Sequence, residues 1–320
     1  MTLLLTQTDL APLFTDPDSI HASFDVIREA LRTSDQEPDE HQSWLAYPLG
    51  TSTEARVHVN LLASPVGTSI RAFPPPVGPT AQTGDSLAML FDQEGRLAAI
   101  MDLHDLGSWR TSGVAAVAAA ALAPERARVA AMLGSGKEAN IFLRALRVAM
   151  PDLGEVRVHS RTAANRERFA REMTTEALPV RAVDEARQAV EVADVVIATA
   201  AGGQPLFEAS WVRPGALVAA VAWGTVPPDL PARLVLPDRF QPEARPTGWE
   251  PWPPRRGSGQ GPNPPLFLAD VLRGAPARQR PDETLWYSQF GVFAWDAPLL
   301  RWAYESARQR GVGTEFTFAR

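Results

Sequence analysis

Between Ala127 and Met150 an apolar run passes through two closely spaced glycines into an amphipathic stretch, and this order limits the fold more than any other feature. Val129-Ala130-Ala131-Met132-Leu133 has the length of a buried strand. Gly134-Ser135-Gly136-Lys137-Glu138-Ala139 follows at once. Residues 140–149 then read as a helix, with Ile141, Leu143, Ala145, Leu146 and Val148 supplying apolar faces. Strand, glycine turn and helix in that order are the context a dinucleotide-binding fingerprint requires. Gly134 permits the tight turn, Gly136 lets the backbone approach a pyrophosphate, and Ala139 is small enough for close helix–strand packing. Amides at the helix start then face the phosphates. A glycine turn that merely joins a strand to a helix is the competing reading, and the pattern downstream weighs against it.

Downstream, apolar runs alternate with helical patterns. Strands are expected at 155–160, 179–183, 194–199, 216–222 and 233–236, and helices at 163–173 and 184–192. Such alternation implies a doubly wound parallel sheet, a Rossmann-type α/β fold. Residues 241–265 are rich in Pro and Gly and read as a loop. A short helix is expected at 266–272, a strand or turn at 285–293 and a closing helix at 297–309. The first hundred residues differ. A strand is followed by helices, with Thr8 or Asp9 capping a short turn and Ser19 capping a helix over 20–31. Strands come next at 44–48 and 55–62, then a hairpin of 86–92 with 97–101. One alanine-rich helix is expected over 102–123, ended by Pro124.

Composition narrows the function classes. The 320 residues carry a net charge of −6 and no long basic run, which argues against a nucleic-acid partner. There is no cysteine, so disulfides, thiolate metal sites and a cysteine nucleophile are excluded, and a cytoplasmic location is expected. The apolar start ends at Thr6-Gln7-Thr8-Asp9, too early for a signal peptide, and the alanine run at 114–123 is too short to span a bilayer. The five histidines show no metal spacing, and there is no Gly-x-Ser-x-Gly elbow.

Within a dinucleotide fold the end of the second strand meets the adenosine ribose. Here it reads Ser160-Arg161-Thr162, with Arg166 nearby and no acid at the tip. The two hydroxyls can hydrogen-bond and Arg161 can grip a phosphate, so NADP(H) is preferred, with NAD(H) as second choice. Thr199-Ala200-Ala201-Gly202-Gly203 ends the fourth strand, where small residues leave room for a ligand or simply pack a tight turn. Arg110, amid small residues in Trp109-Arg110-Thr111-Ser112-Gly113, implies a carboxylate or phosphate partner, or a plain surface ion pair.

Taken together, these segments resemble the ornithine cyclodeaminase and mu-crystallin family. Leu4-Leu5-Thr6 with Asp9-Leu10 is similar to the family's start. Asp102 with Arg110-Thr111-Ser112-Gly113 resembles its Asp…Leu-Arg-Thr-Gly-Ala segment, and Gly134 to Ala139 its Gly-x-Gly-x-Gln-Ala, with Glu138 in place of Gln. Ala193-Asp194-Val195-Val196, Trp211 to Ala216, Leu272-Arg273-Gly274 and 291–296 with Ala303 and Tyr304 also match. The resemblance implies two domains. Residues 1–110 with 297–320 form an α+β substrate and dimerisation domain, and 111–296 form the Rossmann domain. It further implies a homodimer, a nicotinamide cofactor, and hydride transfer at a carbon bearing an amino or imino group. The substrate is an amino- or imino-acid-like small molecule. The implied site residues are Arg110 for substrate carboxylate or cofactor, and Thr111, Gly134, Ser135, Gly136, Lys137, Glu138, Ser160, Arg161, Thr162, Thr199, Ala200 and Trp223 for the cofactor. No metal, membrane or nucleic acid is implied.

The departures shape the chemistry. Where the family has a catalytic lysine on a first-domain strand, alignment through Val57 and Val59 puts His58. Where it has an aspartate after the fifth Rossmann strand, this chain has Ala222-Trp223-Gly224-Thr225. No arginine lies near 34–43 to match a second carboxylate anchor; Arg71 is the substitute on offer. A histidine with an ordinary pKa of about 6.5 can donate a proton near neutrality, or can simply fill a packed strand. Three readings stay open: an NADPH-dependent imine or keto reductase, which we favour; a cyclodeaminase or amino-acid dehydrogenase proper; and a dinucleotide-binding protein that no longer catalyses.

Overall fold

The computed structural model describes residues 1–34, 42–48, 56–64, 67–73, 86–200, 204–221, 224–237, 264–289 and 295–317, with backbone alone for 42–48, 56–64 and 67–73. Described residues within Met1–Arg110 and Gly291–Arg320 cluster into one unit; those within Thr111–Arg239 and Pro251–Phe290 form a second.

The first unit is α+β. Strand β1 (Thr2–Leu5) leads into α1 (Gln7–Leu10), a single 3-10 turn and α2 (Pro17–Thr33). Next come strands β2 (Gln42–Pro48), β3 (Arg56–Ser64), β4 (Gly67–Phe73), β5 (Leu87–Phe91) and β6 (Leu97–Asp102), then helix α3 (His104–Leu122), whose first turns belong here. The unit closes with α8 (Asp296–Arg310) and β15 (Thr314–Phe316). The sheet order is β15-β1-β6-β5-β4-β3-β2, with β1 parallel to β6 and every other pair antiparallel. Strand β4 lies where no strand was expected, because Gly67-Thr68-Ser69 lacks apolar alternation; pairing with β3 and β5 holds it. The caps also shift. Thr6 closes a capping box with Asp9, and Asp16 rather than Ser19 caps α2, accepting from the Ser19 amide at 3.2 Å while Pro17 takes the first helical position. Helix α8 packs on α2 and against β3, β4 and β5. Beneath lies an aromatic cluster in which Phe24 stacks on Trp109 at 6.2 Å, and the Trp109 indole N–H donates to Ser23.

The second unit is the doubly wound sheet. Strand β7 (Val129–Leu133) is followed by α4 (Lys137–Ala149), β8 (Glu155–His159), α5 (Ala163–Met173), β9 (Val180–Ala182), α6 (Ala186–Val190) and β10 (Val195–Ala198). Then come β11 (Leu217–Ala220), β12 (Arg233–Leu236), β13 (Leu266–Phe267), α7 (Leu268–Leu272) and β14 (Leu285–Ser288). The order is β13-β12-β14-β11-β10-β7-β8-β9, parallel throughout. Residues of β10, β11 and β14 are buried along their whole length, as strands covered on both faces must be. Chain order reverses between β7 and β10, which creates a crevice outside the strand C-termini there. Two boundaries differ from expectation. Helix α4 starts three residues early, at Lys137, because Gly136 is its N-cap; and 266–272 opens as a strand pairing with β12 before turning helical. Of the loop expected at 241–265, residues 241–263 lie outside the described residues.

Candidate functional site

The glycine turn sits at that reversal. Gly134 adopts φ +131°, and its amide donates to the His159 carbonyl at 2.9 Å, tying the end of β7 to the end of β8. A Cβ on Gly134 would overlap Thr199 Oγ1 and lie 3.0 Å from the Ala200 amide nitrogen, so only glycine fits. Thr199 and Ala200 both donate their amides to the Leu133 carbonyl, at 3.0 and 3.1 Å, which draws the end of β10 against the turn. Gly136 is different: its φ of −88° suits any residue, yet among the described residues a Cβ there would meet nothing within 4 Å. Open space beside a helix N-cap, with no side chain capping α4, is the room a diphosphate needs.

Around the turn the predicted residues separate into groups. Ser135 Oγ donates to Ser160 Oγ at 2.8 Å, bridging the turn to the second strand. Arg161, Thr162 and Lys137 are exposed. Glu138, in the first turn of α4, accepts from the fully buried Ser112 hydroxyl at 3.2 Å. The Thr111 carbonyl accepts from Gln289 Nε2 at 2.5 Å, and Tyr287 donates to Gln289 Oε1 at 2.8 Å, so β14 and the residue after it grip α3. Gln289 lies in no motif the sequence offers, and Ser112, though inside the Arg110-Thr111-Ser112-Gly113 segment, was given no role because its partner Glu138 is 26 residues away. Trp223, Ala222 and the Gly202-Gly203 pair lie outside the described residues.

The tip of β8 is not as the sequence implied. No acid succeeds it in the chain, but one arrives from the next strand. Arg166 Nη2 meets Asp184 Oδ1 at 2.5 Å, while its Nη1 donates to the Ser160 carbonyl at 3.2 Å. The expectation of an acid-free tip is therefore corrected: Asp184 lies 24 residues beyond Ser160 and is brought there by β9.

In the first unit, Arg110 finds its carboxylate within the chain. Its Nη1 lies 3.5 Å from Asp296 Oδ2, with side-chain exposures of 16% and 1%, and the Trp295 indole donates to the Arg110 carbonyl at 2.9 Å. The surface ion pair weighed from sequence is thus a buried one. A small cavity lined by Leu103, Leu106, Arg110, Asp296, Leu299 and Leu300 adjoins it. At the start of α3, His104 Nδ1 lies 3.2 Å from both Asp102 oxygens. His58 lies on β3, paired with Ala46 and Phe73, and Arg71 on β4, paired with Asn60 and Ala88; their side chains lie outside the described set. Among the described residues no group of three potential metal ligands occurs, and no helix is long and apolar enough to cross a membrane.

A parallel doubly wound sheet with a glycine turn at its reversal and hydroxyls at the adjoining strand tips has the architecture of dinucleotide-binding proteins. The model of the ornithine cyclodeaminase/mu-crystallin family matches residues 77–234. The ketimine reductase mu-crystallin of Macropus fuliginosus is 31% identical over 192 residues, 59% of this chain and 57% of that protein. The chain spans about half the length of the curated relatives it matches first, 57% and 48%. Among solved structures, an archaeal alanine dehydrogenase dimer with bound NAD superposes with a TM-score of 0.81 at 19% identity, over 99% of both chains. The iminosuccinate reductase of Paracoccus denitrificans in complex with NAD+ gives 0.80 at 20% identity, over 99% of both chains. Likeness at these identities is one of fold.

Proposed function

We propose that the chain is an NAD(P)H-dependent oxidoreductase, acting in the cytoplasm, that reduces an imine (ketimine) or keto-type substrate derived from an amino acid. The observation that carries this is the turn itself: Gly134 cannot bear a side chain, and among the described residues nothing fills the space beside Gly136. The hydroxyls of Ser135, Ser160 and Thr199 and the exposed Arg161 make a donor set suited to phosphates and ribose. The named activities of the ketimine and iminosuccinate reductases support the imine class.

When bound, a reduced nicotinamide supplies hydride; the chain must orient the substrate and provide a proton. Arg110 is assigned the substrate's carboxylate, its guanidinium held in place by Asp296. His58, standing where the family lysine would, is assigned the proton that accompanies reduction. NADP(H) is the assigned coenzyme on the strength of Ser160-Arg161-Thr162. We also assign a homodimer. Leu4, Ile100, Met89 and Leu87 share one face of the first unit's sheet, with Leu4 and Leu87 40% and 38% exposed, while Leu5, Met101 and Leu90 on the opposite face are buried.

Steady-state oxidation of NADPH with cyclic and linear ketimines tests the reading. Turnover is expected, with His58→Ala lowering kcat by about two orders of magnitude or more. Should no substrate turn over while NADPH still binds tightly, the third reading, a coenzyme-binding protein without catalysis, replaces it; the missing lysine and aspartate are what favour that alternative.

A further inference from the structure

In this fold, coenzyme selection is decided at the tip of the second strand, where an acid suits a ribose 2′-hydroxyl and a cation suits a 2′-phosphate. The tip here presents both, from different parts of the chain. The Val183 amide donates to the Val158 carbonyl at 3.0 Å, so the residues after β9 run beside the end of β8. That places Asp184 against Arg166, which reaches back from the first turns of α5 to the Ser160 carbonyl. The Arg166 side chain is 11% exposed and that of Asp184 86%. The guanidinium is thus fixed at the tip, while its carboxylate partner lies on the surface. Ser160 Oγ also accepts from Ser135 Oγ, so two hydrogen bonds through Ser160 connect this ion pair to the glycine turn.

We propose that Asp184 is a coenzyme-selecting residue: its carboxylate competes with a 2′-phosphate for Arg166 and so draws the site back from the strong NADPH preference that Ser160-Arg161-Thr162 would otherwise give. This rests on the reading that the turn binds a nicotinamide dinucleotide. A 2′-phosphate approaching the tip must displace or outbid Asp184, and it meets a like charge as it does so. NADH carries no phosphate there and is indifferent to the exchange. Because exposed ion pairs are weak, the competitor costs NADPH a modest factor rather than abolishing its binding.

Calorimetric titration of the chain with NADPH and with NADH provides the test, on the wild type and on Asp184→Asn. The substitution lies on an exposed side chain, so the fold is retained. We expect NADPH to bind about three- to fivefold more tightly and NADH to change less than twofold. The gain should shrink at high salt, where exposed charges are screened. In an Arg166→Gln background, checked for folding by circular dichroism, the Asp184→Asn gain should vanish, since the two residues act as one pair. Equal gains for both nucleotides, no gain for NADPH, or a gain that survives in Arg166→Gln overturns the proposal while leaving the dinucleotide reading standing. A wild-type chain that binds neither nucleotide overturns both.

Discussion

Gly134 and Gly136 stand two residues apart and are required for different reasons. Gly134 is demanded by the protein: its φ of +131° and the crowding by Thr199 and Ala200 exclude any side chain. For Gly136 no atom of the described residues occupies the space its Cβ would enter, and in the proposed function a ligand fills it. Gly134→Ala should therefore cost about 1–3 kcal/mol of stability in urea unfolding and weaken NADPH binding as well. Gly136→Val should leave the unfolding midpoint nearly unchanged and weaken NADPH binding at least tenfold in calorimetry, because the backbone can no longer approach the diphosphate. A Gly136→Val protein that binds like the wild type would remove the turn from the site. Both glycines were legible in sequence, since a Gly-x-Gly between an apolar run and a helix is a local pattern. The Arg166–Asp184 and Arg110–Asp296 pairs were not: their partners lie 18 and 186 residues apart, and no periodicity connects them.

Among the elements, α2 shows how local chemistry sets a boundary. Asp16 caps it, receiving the Ser19 hydroxyl at 2.6 Å and the Ser19 amide at 3.2 Å, and it also meets Arg310 from α8 at 3.2 Å. The Ser19 hydroxyl, with smaller help from the Ser19 amide, Arg310 and the Asp18 amide, holds the Asp16 carboxyl below the usual carboxylate value. Asp9 is held low in the same direction, chiefly by the Thr6 hydroxyl of its capping box. A carboxyl whose folded pKa is depressed stabilises the fold above its unfolded pKa of about 3.9, and that stability is lost as pH falls through the folded value. Thermal melts from neutral pH down to acid should therefore show an acid limb that flattens in Asp16→Asn, with the gap between variant and wild type widest near neutrality and closing in acid. Ser19 looked like the cap because it precedes an apolar helical stripe. Pro17, compatible with a first helical position, is the signal that places the cap earlier, at Asp16. The missed strand β4 has no such signal, because its alternation is weak at Gly67-Thr68-Ser69 and what holds it is pairing on both sides, with the neighbouring β3 and with the more distant β5.

For the molecule as a whole, the sheet of the first unit presents a face that one chain leaves partly uncovered, and the proposed homodimer would cover it. Leu87→Glu combined with Leu4→Glu should shift the light-scattering mass from two chains to one, while NADPH binding by the second unit persists; a dimer untouched by both changes would place the contact elsewhere. Sequence alone determined the class of the second unit. A parallel sheet buried on both faces must be written as short apolar runs alternating with helices, and the chain from Val129 onward is written that way. It also determined the position of the glycine turn, since the turn's chemistry is contained in six consecutive residues. Tertiary structure decided the strand order, in which β14, the last strand of that sheet in sequence, inserts between β11 and β12. It also decided which charges meet at the site. The physical reason is common to both: strand order and ion pairing are set by packing between segments far apart in the chain, whereas turns and helix starts are set by neighbours within a few residues.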